Sequence, residues 1–198
     1  MAPVTVTELV ARNEKHVATH TPLPTFPEMK TLKLDPVKVM IVSCADPRVF
    51  PEQIFGLNYG EAIVIRVIAG HPQNAMNDIL ALDAFLKLSD IIVVHHTDCG
   101  STYFTEDLVR TEIKSRCPHD KSIDTITFGA VSTRFAAPIR WILSALLLTP
   151  PFLHSIQQNL VDDLKFLRSH PLIRKELVER SHGFMYDIKT GKLEEVKA

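Results

Sequence analysis

Val37-Lys38-Val39-Met40-Ile41-Val42-Ser43-Cys44-Ala45-Asp46-Pro47-Arg48 is the stretch that decides the architecture. Its first part, Val37–Ser43, is a short, β-rich apolar run and reads as a buried strand. Ala62–Ile68 and Ile91–His95 are two more runs of the same kind, and Asn74–Leu88 reads as a buried helix between them, capped by Asn74. Apolar runs without polar alternation suit parallel strands covered on both faces. The pattern predicts an α/β fold: an open, mostly parallel β-sheet with flanking helices.

The chemistry follows the strands. Cys44-Ala45-Asp46-Pro47-Arg48 leaves the first run, and His95-His96-Thr97-Asp98-Cys99-Gly100 leaves the third. With Val37–Ser43 central and the other two strands on either side, Cys44 and His96, 52 residues apart, meet at adjacent carboxyl ends. That is a topological switch point, where open α/β sheets place their ligands. Cys44, His96 and Cys99 offer two thiolates and one imidazole, a zinc ligand set with one tetrahedral position left over, as in a catalytic site. The reading is one Zn2+ per subunit. Asp46 and Arg48 stand ready to act on whatever fills that position, so the chain reads as an enzyme that uses zinc-activated hydroxide. Asp98, between two ligands, shapes the turn or braces it, and Gly100 allows a tight backbone path.

The 198 residues are 45% hydrophobic and 23% charged with a net charge of −1, which fits one domain, 1–198. No basic block points to nucleic acid. Three cysteines do not make a disulfide framework, and free thiols suit a reducing, cytoplasmic setting. Arg12 is flanked by Glu8 and Glu14, unlike a transit peptide, and no apolar signal core is seen. Trp141–Leu148 is too short to span a membrane and reads as a buried or subunit-interface helix.

The remaining elements are read from caps and breakers. Thr5-Val6-Thr7-Glu8 resembles a capping box and predicts a helix over Val6–His20. Thr21–Pro27, with three prolines, predicts an extended arm, so residues 1–35 form a helical arm able to pack on a partner subunit or to fold back. Thr105–Arg116 reads as a helix stopped by Pro118, Ser155-Ile156-Gln157-Gln158 opens another that Pro171 closes, and Ile173–Arg180 is a short one. Gly183–Ile188 and Lys192–Val196 predict a closing hairpin. Asp124–Val131 carries no clear pattern. Cys117-Pro118-His119 has too few ligands for a second metal site, His95 reads as structural, and His71, His154, His170 and His182 read as ordinary surface or core histidines.

Cys-x-Asp-x-Arg after one strand and His-x-x-Cys-Gly after a later one resembles the β-class carbonic anhydrases. Pro51-Glu52, Phe166–Ile173 and Gly183–Gly191 resemble further segments of that family, and the likeness covers most of residues 36–198. It implies hydration of carbon dioxide to bicarbonate, an Asp46–Arg48 pair that orients the nucleophile, and a homodimer or larger homo-oligomer. It also implies a second form in which the aspartate itself ligates zinc. The chain departs from the family where many members carry Arg-Asn-Ala-Gly. Here Val67-Ile68-Ala69-Gly70 stands instead, so Ile68, Ala69, Gly70 and Gly100 are the candidate pocket residues and the wall is more apolar. An apolar wall also suits carbonyl sulfide, and a carbonyl sulfide hydrolase is the runner-up.

Other classes fit less well. A phosphatase loop needs five residues between its cysteine and arginine, whereas Cys44 and Arg48 have three. A dinucleotide-binding turn needs glycine, and Ser43–Phe50 has none. A structural zinc module would need a fourth ligand, for which Asp46 is the candidate.

Overall fold

Strands β1 (Val39–Cys44), β2 (Ala62–Val67), β3 (Asp90–His96), β4 (Ser181–Tyr186) and β5 (Leu193–Val196) form one sheet in the order β2-β1-β3-β4-β5. Among the described strands only the β4–β5 pair is antiparallel. The structure is a computed structural model that describes residues 3–128 and 151–198, the side chains of 151–155 excepted. The chain divides into two compact units, Met1–Pro36 and Val37–Ala198.

In the larger unit β1 lies between β2 and β3, and five of its six residues are buried. Val39 pairs with Ala62 on one side and with Asp90 on the other, so the three strands start level and β3 runs one residue beyond the other two. Met40 and Val42 share a face with Ile91 and Val93, and that face carries the core. Helices α4 (Met76–Leu86) and α6 (Pro151–Ser169) close it, with Ile79 from the former and Ile156, Leu160, Leu164 and Leu167 from the latter. Each such fully buried aliphatic side chain contributes roughly 1.5–3 kcal/mol. At Gly183 a Cβ would stand 2.7 Å from Leu164 Cδ1, so glycine lets α6 lie close on β4. Thr105 caps α5 (Glu106–Arg116) by accepting from the Leu108 amide. The short helices α3 (Pro51–Ile54) and α7 (Lys175–Glu179) complete the described helices of this unit, with α7 shorter than the expected Ile173–Arg180.

In the smaller unit α1 (Val6–Val17) starts with the Thr5–Glu8 capping box and stops short of the expected His20. The extended arm expected over Thr21–Pro27 ends sooner, because Thr25 and Glu28 form a second capping box that opens α2 (Phe26–Thr31). Pro27 falls within its first turn, where a missing amide costs nothing.

Two expected caps are also corrected. Asn74 does not cap α4: it lies in a 3-10 turn, Pro72–Ala75, and the helix follows from Met76 without a side-chain cap. Pro72 fixes the tight turn before the helix can start. The helix is less covered than its composition suggests, with Phe85 80% exposed, and it ends as Lys87 takes a left-handed conformation. Ser155 is not an N-cap either, since α6 begins at Pro151 and runs through it. Trp141–Leu148 and the end of Asp124–Val131 lie outside the described residues. No helix among the described residues is long and apolar enough to cross a membrane.

Candidate metal centre

Adjacent parallel strands deliver Cys44 and His96 to one end of the sheet, because β1 stops at Cys44 and β3 at His96. The chain then reverses through Asp98, whose φ of +55° is a left-handed conformation that aspartate tolerates, and returns Cys99 to the same place. The ligand atoms of Cys44, His96 and Cys99 all lie within 4.8 Å of one another, and all three residues are buried.

The donor set fits a zinc-type cation. The two sulfurs are 3.7 Å apart. Two thiolates at about 2.3 Å from one tetrahedral zinc stand about 3.8 Å apart. His96 Nδ1 is 3.0 Å from the Thr97 carbonyl, so it donates there and leaves Nε2 as a lone pair. That Nε2 is buried with no hydrogen-bond partner among the described residues, an expensive state unless a cation takes it. Ser101 Oγ lies 3.0 Å from Cys99 Sγ and supports a thiolate. Cys99 is held down, first by the Cys44 thiol beside it, against burial. The Cys44 thiol is pushed up by the same pairing and by burial. Without a cation one sulfur of the pair thus keeps its proton, whereas a divalent ion would let both ionise.

Next to this group Arg48 holds Asp46 through both carboxylate oxygens, and the Arg48 amide donates to Oδ1 at 2.9 Å. Asp46 Oδ2 lies 3.9 Å from His96 Nε2. The Arg48 guanidinium holds the Asp46 carboxyl down to about 2, outweighing burial. Arg48 is itself fixed by Asp98, through Oδ2 at 2.7 Å and the carbonyl at 2.8 Å, and Tyr103 donates to Asp98 Oδ1 at 3.1 Å.

Arg66, Ser101 and Tyr103 were not picked out from the sequence as residues of this centre. Arg66 donates to the carbonyls of Asp46 at 2.6 Å and Cys44 at 3.3 Å, with its guanidinium over the Phe50 ring. A lone charge inside the apolar β2 run was the available signal. Ser101 carried none beyond its place two residues after a ligand.

The four candidate pocket residues differ in position. Ile68 is 45% exposed and opens a 3-10 turn, Ile68–Gly70, while Ala69 and Gly70 are buried with left-handed φ. The tight path expected at Gly100 lies at Gly70 instead. A Cβ on Gly70 would meet Val94 O at 3.0 Å and Cys44 N at 3.1 Å, whereas one on Gly100 would meet nothing within 4 Å. His71, read as an ordinary histidine, is bound to Asp163 at 2.7 Å. Burial opposes ionisation of Asp163, yet His71 and His95 hold its carboxyl below the ordinary value. Cys117 is exposed.

Comparison with known proteins gives the family. A family model described as carbonic anhydrase matches residues 39–193. The chain is 29% identical to β-carbonic anhydrase 1 of Mycobacterium tuberculosis over 83% of its own length and 86% of that protein's. It is 27% identical to a carbon disulfide hydrolase of Acidianus sp., covering 79% of this chain and 76% of that one. Among solved structures, a carbonic anhydrase from Glaciozyma antarctica superposes with a TM-score of 0.68 at 29% identity, covering 94% of this chain and 95% of that one.

Proposed function

Since the chain belongs to the β-carbonic anhydrase family, we propose that it catalyses the reversible hydration of carbon dioxide to bicarbonate. The observation that carries this is the convergence of Cys44, His96 and Cys99 beside the Asp46–Arg48 pair. Cys44, His96 and Cys99 would hold Zn2+, which when bound supplies a water whose pKa is lowered toward about 7. Asp46, ionised and aimed by Arg48, accepts a hydrogen bond from the attacking water and turns its lone pair toward the substrate carbon. Both oxygens of Asp46 are engaged by Arg48, which favours this role over service as a fourth metal ligand. Arg66 fixes the backbone of Asp46 and Cys44, and the Asp98–Tyr103 pair fixes Arg48. Ile68 and Ala69 offer the substrate an apolar wall from the turn that packs on the ends of β1 and β3.

A second reading is favoured by that wall and by the likeness to a carbon disulfide hydrolase: hydrolysis of carbonyl sulfide, giving carbon dioxide and hydrogen sulfide. Turnover of both gases by one zinc-loaded preparation separates the two. Fast carbon dioxide hydration with little hydrogen sulfide supports the anhydrase, efficient hydrogen sulfide release supports the hydrolase, and turnover of neither rejects both.

The proposal includes a homodimer or larger homo-oligomer in the cytoplasm. Its support is that Val6, Leu9, Val10 and Val17 recur along α1, which buries none of its residues, and that the cysteines are free thiols. Mass in solution tests the assembly, and a monomer at working concentration rejects it.

A further inference from the structure

Three side chains outside the Cys44 centre converge on one oxygen. Asp163 Oδ2 lies 2.7 Å from His71 Nδ1 and 2.9 Å from His95 Nε2. The sequence brings them from three places: the turn before α4, the end of β3 and the middle of α6. The period of β3 puts His95 on the face of Ile91 and Val93, against α6. On α6, Asp163 follows Leu160 by three residues and precedes Leu167 by four, so it shares their core-facing stripe.

Hydrogen bonding does not fully account for this group. The contact of His95 Nε2 with Asp163 lacks hydrogen-bond alignment, and His95 Nδ1 has no partner among the described residues, although the residue is 1% exposed. One turn earlier on α6, the Asn159 Nδ2 atom is also buried without a partner among the described residues. Orphaned polar atoms in a buried site call for a ligand.

From this geometry we infer that His71, His95 and Asp163 form a second metal site, for a divalent ion of the Zn2+, Co2+ or Ni2+ type. Two imidazoles and a carboxylate suit such ions. The three ligand atoms lie within 4.8 Å of one another. Ligand atoms around tetrahedral zinc are about 3.3 Å apart, so the observed 2.7 and 2.9 Å contacts must open by about half an ångström as the ion replaces the hydrogens between them. His71, at 14% side-chain exposure against 1% and 3% for the other two, gives the ion its way in. Occupied, the site fastens the Ile68–Gly70 turn to α6. Through Gly70 that turn rests on the backbone of Cys44, so the second ion would brace the wall of the first centre.

The test is a metal count on the full chain equilibrated with excess Zn2+ and freed of unbound ion, paired with Co2+ absorption. The thiolate charge-transfer band of Co2+ reports the Cys44–Cys99 centre alone. The expected result is two metals per wild-type chain and one in both Asp163→Asn and His71→Ala, with the band intact in all three. A single metal in wild type with a full band overturns the site. So does a second metal that survives in both variants, or one that departs with Cys117→Ser instead. Loss of both metals and of the band in His71→Ala also overturns it, since the cluster would then serve only the first centre. Should Asp163→Asn not fold, His71→Ala on its turn carries the comparison. A missing band in wild type would reject the Cys44 centre and leave the second count readable.

Discussion

Arg48 grips both carboxylate oxygens of Asp46, Nε to Oδ1 at 2.9 Å and Nη2 to Oδ2 at 2.7 Å. The forked geometry fixes the plane of the carboxylate as well as its charge. Arg48→Ala is expected to keep the metal and to lose about 10–100-fold in catalytic efficiency, as supporting residues of a metal site do. Arg48 is the first cause of the depressed Asp46 pKa, so its removal lets that pKa rise. The acid limb of the pH–rate profile then moves to higher pH. A profile unchanged in height and position would reject a working pair. Arg48→Lys offers one point charge in place of a fork and should restore little.

Removing a ligand has a different signature. Cys44→Ser and His96→Ala are expected to lose metal from this centre and activity together, by at least about 100-fold, while far-ultraviolet circular dichroism stays near wild type. Full activity in either variant would mean that the ligand set is wrong.

Gly70 and Gly100 separate backbone strain from mere neighbourhood to the centre. Gly70→Ala must adopt a φ of +80° and press a Cβ on Val94 O and Cys44 N. The left-handed conformation alone costs roughly 1–2 kcal/mol, and the contacts raise the expected loss to about 2–3 kcal/mol. Gly100→Ala meets nothing within 4 Å and should change stability by less than about 0.5 kcal/mol. Thermal melts of the two variants check the contrast, and equal losses would contradict it.

Away from the centre, Asp83 on α4 accepts two bonds from Arg174, at 2.8 and 2.6 Å, and one from the Leu88 amide at 3.0 Å. Arg174 holds the Asp83 carboxyl below its ordinary value. The folded pKa is therefore the lower one. Its stabilisation is complete above the unfolded value, about 3.9, and is lost as pH falls from there through the folded value. With Arg174 33% exposed, the pair is worth about 1–3 kcal/mol after solvent screening. Asp83→Asn should cost that much at neutral pH and flatten the acid loss of stability, as read from denaturant unfolding at several pH values.

The sequence made the sheet legible where burial leaves an unbroken apolar run. Val37–Ser43 and Ile91–His95 became β1 and β3, and the Cys44 and His96 segments then leave from their ends. Local signals failed where several competed. Asn74 and Ser155 have cap chemistry, but Asn74 lies in a 3-10 turn before its helix and α6 runs through Ser155. Thr25 and Glu28 cap α2 within a stretch whose prolines read as extended. Tertiary partners were out of reach for another reason. His71 and Asp163 are 92 positions apart, and no spacing rule joins a turn to a helix face at that distance. Arg66 sits in a strand by every local criterion, and only the fold shows that it holds the carbonyls of Cys44 and Asp46.

Cys44 and Cys99, 55 positions apart, reach one another only while β1 and β3 are laced together by their parallel ladder. An ion held by both sulfurs is thus a clasp across that seam, and it binds the laced chain far better than the unlaced one. The clasp and the seam share a single free energy. The speed at which a strong chelator empties the centre would then be a clock for how often the seam between these two strands parts, and core substitutions far from any ligand would set its rate.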